Sequence, residues 1–274
     1  MNSLDVDVIR RAIGDAALAR LDELEVFAEI RSTNSYLMQQ PASAPGKTRV
    51  AVTDNQTAGR GRHGRTWQSP PGSGLCLSMA YTFASSPENL PALTLATGLG
   101  IIETLRELHV SGVQLKWPND LIVSDGKLGG ILTEAQSGRC GAMTVVSGIG
   151  LNIDLAERID LGLEQNAVLR IVDLKSHVEK LPGRNQIAAS IITGLSRTFV
   201  DYEAGGFSLF ANQWSENDWL LGRKLTIESP QQEITGIGAG IAKDGALLVD
   251  SFSGGTHRVT SGSVVMAAIG EHDS

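Results

Sequence analysis

The texture of the chain changes near Leu220, and that change constrains the architecture more than any other feature. Before it, strand-like and helix-like apolar periods alternate. After it only short β-runs occur, at 224–228, 233–241, 246–249, 257–260 and 264–269. Asp244-Gly245 is a two-residue hairpin signal, because both residues tolerate the positive φ of a tight turn between twisted strands. Five short strands in so few residues predict a small β-barrel. The 274 residues leave room for one larger domain ahead of it. The expected division is 1–219 and 220–274.

In the larger part, the first twenty residues read as a helix with Val8, Ile9, Ala12, Ile13, Ala16 and Leu18 on a broad apolar face. A strand is expected over 25–30, then a short helix to Gln40 capped by Ser32 or Thr33, then a strand over 49–53. Residues 54–74 read as loop, with five glycines and two prolines. Residues 75–82 alternate, placing Leu75, Leu77, Met79 and Tyr81 on one face. Residues 87–109 fit a long buried helix, and 113–117 a strand stopped by Pro118, which has no N–H for a ladder. Further strands at 121–123, 130–135 and 144–153 and helices at 185–202 and 207–217 give an α+β class with a mixed sheet packed by helices.

Several classes of function are disfavoured. No apolar run reaches the roughly 18–20 residues of a membrane span, and Asp5, Asp7, Arg10 and Arg11 interrupt any signal-like stretch. Cys76 and Cys140 lack metal-ligand spacing and read as two buried thiols of a cytoplasmic protein. The five histidines have no zinc-site spacing, and no metal ligands are assigned. A net charge of −7 opposes broad nucleic-acid binding. The charge is uneven, however. Over 30–87, six cations face the single carboxylate of Asp54, a local +5 that leaves −12 for the rest. Such a field on an acidic protein points to a small anionic ligand, the plain alternative being a solvated basic face.

Within that basic segment lies Gly59-Arg60-Gly61-Arg62-His63-Gly64-Arg65. Alternating glycines let backbone N–H groups approach an anion, and arginine forks match phosphate and carboxylate oxygens. A flexible surface loop or an RNA-binding Arg-Gly stretch reads equally well. Trp67 offers a plane for a stacked ring, or is a core residue. Lys116-Trp117-Pro118-Asn119-Asp120 puts a lysine at a strand end before a proline turn, where it can meet charge developing on a phosphoryl group or simply solvent. Asp120 faces a cation or, more simply, caps the turn. Gly148-Ile149-Gly150-Leu151-Asn152 leaves a bare strand face for a ligand or for close packing. Lys127-Leu128-Gly129-Gly130-Ile131-Leu132 enters an apolar strand and also reads as a hairpin turn. No serine–histidine–acid triad and no P-loop spacing are present.

Taken in order, Ser32-Thr33-Asn34, Gln56, the 59–65 run continuing to Trp67 and Ser69, and the runs at 116–120, 127–132 and 148–152 resemble the biotin protein ligase family. The resemblance covers roughly 25–153 and, more loosely, the C-terminal barrel. It implies a class II synthetase-like sheet domain, an SH3-like barrel and a two-step reaction. Biotin's carboxylate attacks the α-phosphate of ATP to give biotinyl-5′-adenylate, and a lysine of a biotin carboxyl carrier domain, in acetyl-CoA carboxylase or a related carboxylase, then displaces AMP.

Carried over residue by residue, the resemblance implies that Ser32, Thr33, Asn34, Gln56, Arg60, Gly61, Arg62, Lys116, Gly148 and Gly150 bind biotin. It implies that Arg60, Arg62, Arg65, Trp67, Lys116, Asn119, Lys127 and Asn152 meet ATP or the adenylate. Lys116 and Arg62 would be catalytic, and Mg²⁺ would accompany the nucleotide. With only 31 residues ahead of Ser32, the DNA-binding domain of bifunctional members is not expected. Glycine-rich strands, if exposed, would suit a homodimer. The competing readings are a lipoate ligase and a nucleic-acid-binding protein built on the arginine loop. The run chemistry opposes the first and the net charge the second.

Overall fold

The structure is a computed structural model that describes residues 3–68, 70–155, 169–228 and 233–266. Ser69 and the end of the fifth C-terminal β-run, at 267–269, lie outside the described residues. Two short helices open the chain, α1 (Val6–Ala12) and α2 (Asp15–Leu18), where one helix was expected. Gly14 separates them with an extended backbone, and its N–H donates to Thr193 Oγ1 at 3.1 Å. The apolar period continues across Gly14, which is why the break was not legible.

Seven strands form the large sheet. They are β1 (Leu21–Val26), β2 (Thr48–Thr53), β3 (Gly74–Phe83), β4 (Gln114–Lys116), β5 (Asp120–Val123), β6 (Gly126–Ser137) and β7 (Met143–Asn152), in the order β1-β2-β3-β7-β6-β5-β4. Only β1 and β2 run parallel. The first strand lies earlier than the expected 25–30, since Leu21 and Leu24 are the residues it buries. α3 (Thr33–Met38) lies on one face of the sheet, and the long helices α4 (Leu90–Glu107) and α5 (Arg184–Gly205) pack on the other, with α6 (Ala211–Asn217) against α4.

The alternation of β3 is present, yet every residue of the strand is buried. Leu75, Leu77, Met79, Tyr81 and Phe83 join the main core with α4 and α5, while Ala80 packs with Leu37 of α3. Both faces of the sheet are therefore covered, and Cys76 and Ser78 are left facing the α3 side. The glycine-rich strands β6 and β7 pair with each other over Gly129–Ser137 and Met143–Leu151, and β5 pairs with the other edge of β6 only as far as Gly130, so beyond that point no described strand covers this edge. Cys140 is exposed, not buried as expected, while Cys76 is buried.

The C-terminal strands β8 (Lys224–Glu228), β9 (Glu233–Ile241), β10 (Leu247–Ser251), β11 (Thr256–Val259) and β12 (Ser263–Met266) make an antiparallel sheet ordered β11-β10-β9-β8-β12. Among the described residues β11 and β12 do not pair with each other. The small sheet is joined firmly to the large one. Trp117 Nε1 donates to Gly245 O at 3.0 Å, the Trp219 N–H donates to Leu115 O at 2.9 Å, and one apolar cluster runs from Leu115 and Trp117 to Leu225 and Val249. Among the described residues no helix is long and apolar enough to cross a membrane.

Candidate active site

A cavity of about 930 Å³ opens on the α3 face of the large sheet. Its walls are the start of α3, the 59–67 segment, the β4–β5 turn, strands β6 and β7, and β12 of the small sheet. Ser32, Thr33, Asn34, Gln56, Arg60, Gly61, Arg62, Arg65, Trp67, Lys116, Asn119, Lys127, Gly148 and Gly150 all line it. Asn152 does not. Its amide donates to Lys127 O at 3.4 Å and Val172 O at 3.1 Å, tying the end of β7 to the 170–172 segment.

One end of the cavity is built from neutral amides and hydroxyls. Ser32 caps α3 and its hydroxyl accepts from the Ser35 N–H at 3.4 Å, which places Thr33 and Asn34 in the first turn. Gln56 Oε1 accepts from the Thr33 N–H at 2.8 Å and from Thr33 Oγ1 at 3.2 Å. Ser78 Oγ lies 2.6 Å from both Thr33 Oγ1 and Asn34 Oδ1. Asn34 Nδ2 donates to Leu132 O and to Glu134 Oε2, each at 3.0 Å. The Asn34 carboxamide thus has a fixed orientation, nitrogen toward two acceptors and oxygen toward a hydroxyl. Ser32, Thr33, Asn34 and Ser78 are all buried.

The bare face of β7 exists as expected, but the protein's own side chains cover it. A Cβ on Gly148 would collide with Asn34 Oδ1, and one on Gly150 with the indole of Trp67. Close packing of Asn34 and Trp67 thus accounts for the missing Cβ at both positions, while both glycines also line the cavity. Ser78 and Glu134 were not singled out from the sequence. Each had a faint signal, a hydroxyl inside an apolar strand and a carboxylate two residues past Leu132 on the face of Gly130.

The other end is cationic. The 59–67 segment forms a small hairpin, with Gly61 N–H to Arg65 O at 2.7 Å, Trp67 N–H to Gly59 O at 3.0 Å, and one turn of 3-10 helix over Arg62–Gly64. His63 and Gly64 take positive φ, and a Cβ on Gly59 would strike the backbone of Trp67. Arg62 Nη1 donates to Asn119 Oδ1 at 3.5 Å, and Asn119 is itself held by Ile131 O at 2.9 Å. Lys116, only 9% exposed, donates to Val264 O of β12 at 3.2 Å. Burial lowers its pKa from the ordinary 10.5; Asp120 opposes this, and Lys127 and Arg65 add to it. Burial likewise lowers the Arg62 guanidinium, against Asp120.

Asp120 does not cap the turn; it pairs with Lys127 at 2.7 Å, and Lys127 Nζ stands 6.0 Å from the Trp67 ring centroid. Cations thus outnumber carboxylates in a partly desolvated pocket, an arrangement that favours an anion. Among the described residues no three histidine, cysteine or carboxylate groups cluster as a metal site.

Comparison with known proteins agrees with this geometry. Residues 26–152 match the Biotin/lipoate A/B protein ligase family, and residues 220–266 the Biotin protein ligase C terminal domain. The Bifunctional ligase/repressor BirA of Escherichia coli is 32% identical over 235 residues, 85% of this chain and 71% of the relative. The Biotin--[acetyl-CoA-carboxylase] ligase of Mycobacterium tuberculosis is 31% identical over 250 residues, 89% and 88% of the two chains. Aquifex aeolicus biotin protein ligase in complex with biotin and ATP superposes with a TM-score of 0.71 at 25% identity, covering 89% of this chain and 97% of that one. A mutant of the same ligase in complex with biotin gives 0.74 at 26% identity, with coverages of 90% and 99%. On its ordered motifs, its two-sheet fold and these relatives, the chain belongs to the biotin protein ligase family.

Proposed function

We infer that this chain is an ATP-dependent ligase that activates biotin as biotinyl-5′-AMP and transfers it to a lysine of a biotin carboxyl carrier domain. The observation that carries the reading is one cavity with a hydrogen-bonded neutral end and a cationic end joined by the 59–67 hairpin. Biotin's ring system suits the neutral end, where Ser32, Thr33, Asn34 and Gln56 offer fixed hydroxyls and amides. The carboxylate then points toward Lys116 and Arg62.

In the first step a carboxylate oxygen bonds to the α-phosphorus and pyrophosphate leaves. In the second the carrier amine bonds to the acyl carbon, the anhydride breaks and AMP leaves. Lys116 stabilises negative charge on the phosphoryl oxygens. Arg60, Arg62, Arg65, Asn119 and Lys127 hold the adenylate, Trp67 packs beside the base, and Gly148 and Gly150 give Asn34 and Trp67 their places. The hairpin keeps water from the mixed anhydride until the acceptor arrives.

Mg²⁺ would accompany the nucleotide. With no three-donor cage among the described residues, the donor set fits an ion carried mainly by phosphate oxygens, with Asp120 as the carboxylate at hand. The carrier is expected to be that of acetyl-CoA carboxylase or a related enzyme, and the location cytoplasmic. A homodimer through the glycine-rich strands would use the edge of β6 beyond Gly130, which β5 does not cover. The match beginning at 220 and the first small-sheet strand at Lys224 support a division at 219/220.

The lipoate reading is disfavoured by the C-terminal match to a biotin ligase domain. The nucleic-acid reading is disfavoured because Arg60 and Arg62 are tied to Glu134 and Asn119. Incubation with biotin, α-labelled ATP and an acetyl-CoA carboxylase carrier domain tests the proposal. Labelled biotinyl-AMP and then a biotinylated carrier are expected. Equal use of lipoate, or no adenylate, would contradict it.

A further inference from the structure

We propose that Arg184 is a positioning residue for the biotin end of the cavity, acting through Asp54 and Gln56. The proposal rests on the reading of that end given above. Asp54 is the single carboxylate of the basic 30–87 segment, and it does not line the cavity. It follows β2 directly, and its Oδ2 accepts from Arg184 Nη1 at 3.1 Å. The two residues stand 130 apart in the chain, and the Arg184 side chain is only 4% exposed.

Arg184 is placed against local preference. It is the first residue of α5, where the helix dipole disfavours a cation. Its Nε is buried with no hydrogen-bond partner among the described residues, a cost that an apolar residue would avoid. A buried charge that breaks local rules in this way points to a role other than packing. What the charge reaches is the root of the segment that carries the site. On one side it holds Asp54, where the chain leaves β2. On the other, its Nη2 lies 3.7 Å from where a Cβ on Gly72 would stand, two residues before β3.

The route from Asp54 to the cavity is short. The N–H groups of Thr57 and Ala58 donate to Ile30 O at 3.0 Å and Arg31 O at 2.8 Å, tying this stretch to the residues that lead into α3. Gln56, two residues past Asp54, accepts from both the N–H and the hydroxyl of Thr33. Fixing Asp54 therefore fixes where Gln56 Oε1 meets the first turn of α3. The ties of the cationic end, Arg62 to Asn119 and Asn119 to Ile131 O, do not pass through Arg184. The signature of this arrangement is a selective loss of biotin affinity, with ATP use and turnover little changed.

Biotin-dependent pyrophosphate exchange by the full chain gives the KM for biotin, the KM for ATP and kcat, while calorimetry gives biotin affinity alone. Asp54→Asn keeps an acceptor of the same shape and removes the charge. Arg184→Lys keeps the charge and removes the fork. Each should raise the biotin KM about three- to tenfold, with kcat and the ATP KM within about twofold of the wild type. Gln56→Ala should raise the biotin KM by itself, and adding Asp54→Asn to it should raise it no further. Losses that multiply in that double variant would overturn the route through Gln56 and the proposal. A biotin KM unchanged in both single variants, even with a lowered melting temperature, would overturn it too, as would a fall in kcat at unchanged biotin KM. If Arg184→Lys does not fold, Asp54→Asn and its double variant decide by the same outcomes. Absence of biotin binding by the wild type would overturn the functional reading and this proposal with it.

Discussion

The two ends of the cavity are finished to different degrees. At the neutral end Ser32, Thr33, Asn34, Gln56 and Ser78 all have hydrogen-bond partners within the protein. At the other end the cations Lys116, Arg62, Arg65 and Lys127 outnumber the lining carboxylates Asp120 and Glu228, and burial depresses both Lys116 and Arg62. Folding completes the first end, because unmet buried amides would cost about 1–3 kcal/mol each. Folding leaves the second end electrostatically unsatisfied, and the missing partner has the charge of a carboxylate or phosphate. A pre-formed half that selects the acid and a half completed by the reacting anion are what an adenylating enzyme needs. Tight binding then falls on the charged intermediate rather than on the substrate alone.

The largest break of this comparison is Lys116→Met. Biotin-dependent pyrophosphate exchange should fall by roughly 10²–10³-fold, the scale of one lost charge-stabilising donor. The melting temperature of the ligand-free protein should rise by about 2–4 °C as a buried charge is removed. Near-normal exchange would take Lys116 out of the reaction. Next is Gly148→Ala at the neutral end, where the added Cβ displaces the Asn34 carboxamide. Biotin affinity should drop by roughly 10–100-fold, equivalent to about 1–3 kcal/mol of overpacking. Unchanged calorimetric affinity would show that Asn34 does not shape the site. Arg62→Gly should leave a folded enzyme that releases biotinyl-adenylate about tenfold faster. Retention like that of the wild type would end the clamp role.

The smallest effect is in pH. Burial lowers the Lys116 pKa, so adenylation should fail on the alkaline side below the ordinary lysine range. The sign for stability is opposite. Below the lowered pKa, Lys116 is charged in both states and its burial cost is present in full. Between that value and 10.5 the folded chain sheds the proton first, so stability rises with pH. A wild-type rate profile flat up to the ordinary lysine range would contradict this.

The cationic end was the more legible of the two. The spacing of the arginines in the 59–65 run and the lysine before Pro118 are local features, and both line the cavity. The neutral end was legible only through family resemblance, and Ser78 and Glu134 were missed. Their meaning lies in partners far along the chain, with Asn34 44 and 100 residues away respectively. The tie from Lys116 to Val264 spans 148 residues. For the same reason the sequence left ligand approach and close packing both open at Gly148 and Gly150, and could not name Asn34 and Trp67 as the side chains that pack there. Strand positions were clear wherever a turn residue bounded an apolar run. They were not clear at β1, where polar Asp22, Glu23 and Glu25 blur an edge strand.

The most direct test of the two-ended cavity is the salt dependence of two affinities in the wild-type chain. Calorimetry would compare neutral biotin methyl ester with a non-hydrolysable biotinyl-adenylate analogue across a sodium chloride series. The ester, held by amides and hydroxyls alone, should bind almost equally at every ionic strength. The analogue should weaken progressively as salt screens the cations that hold its phosphate. Parallel salt dependence for the two ligands would contradict the division of the cavity into a neutral end and a cationic end.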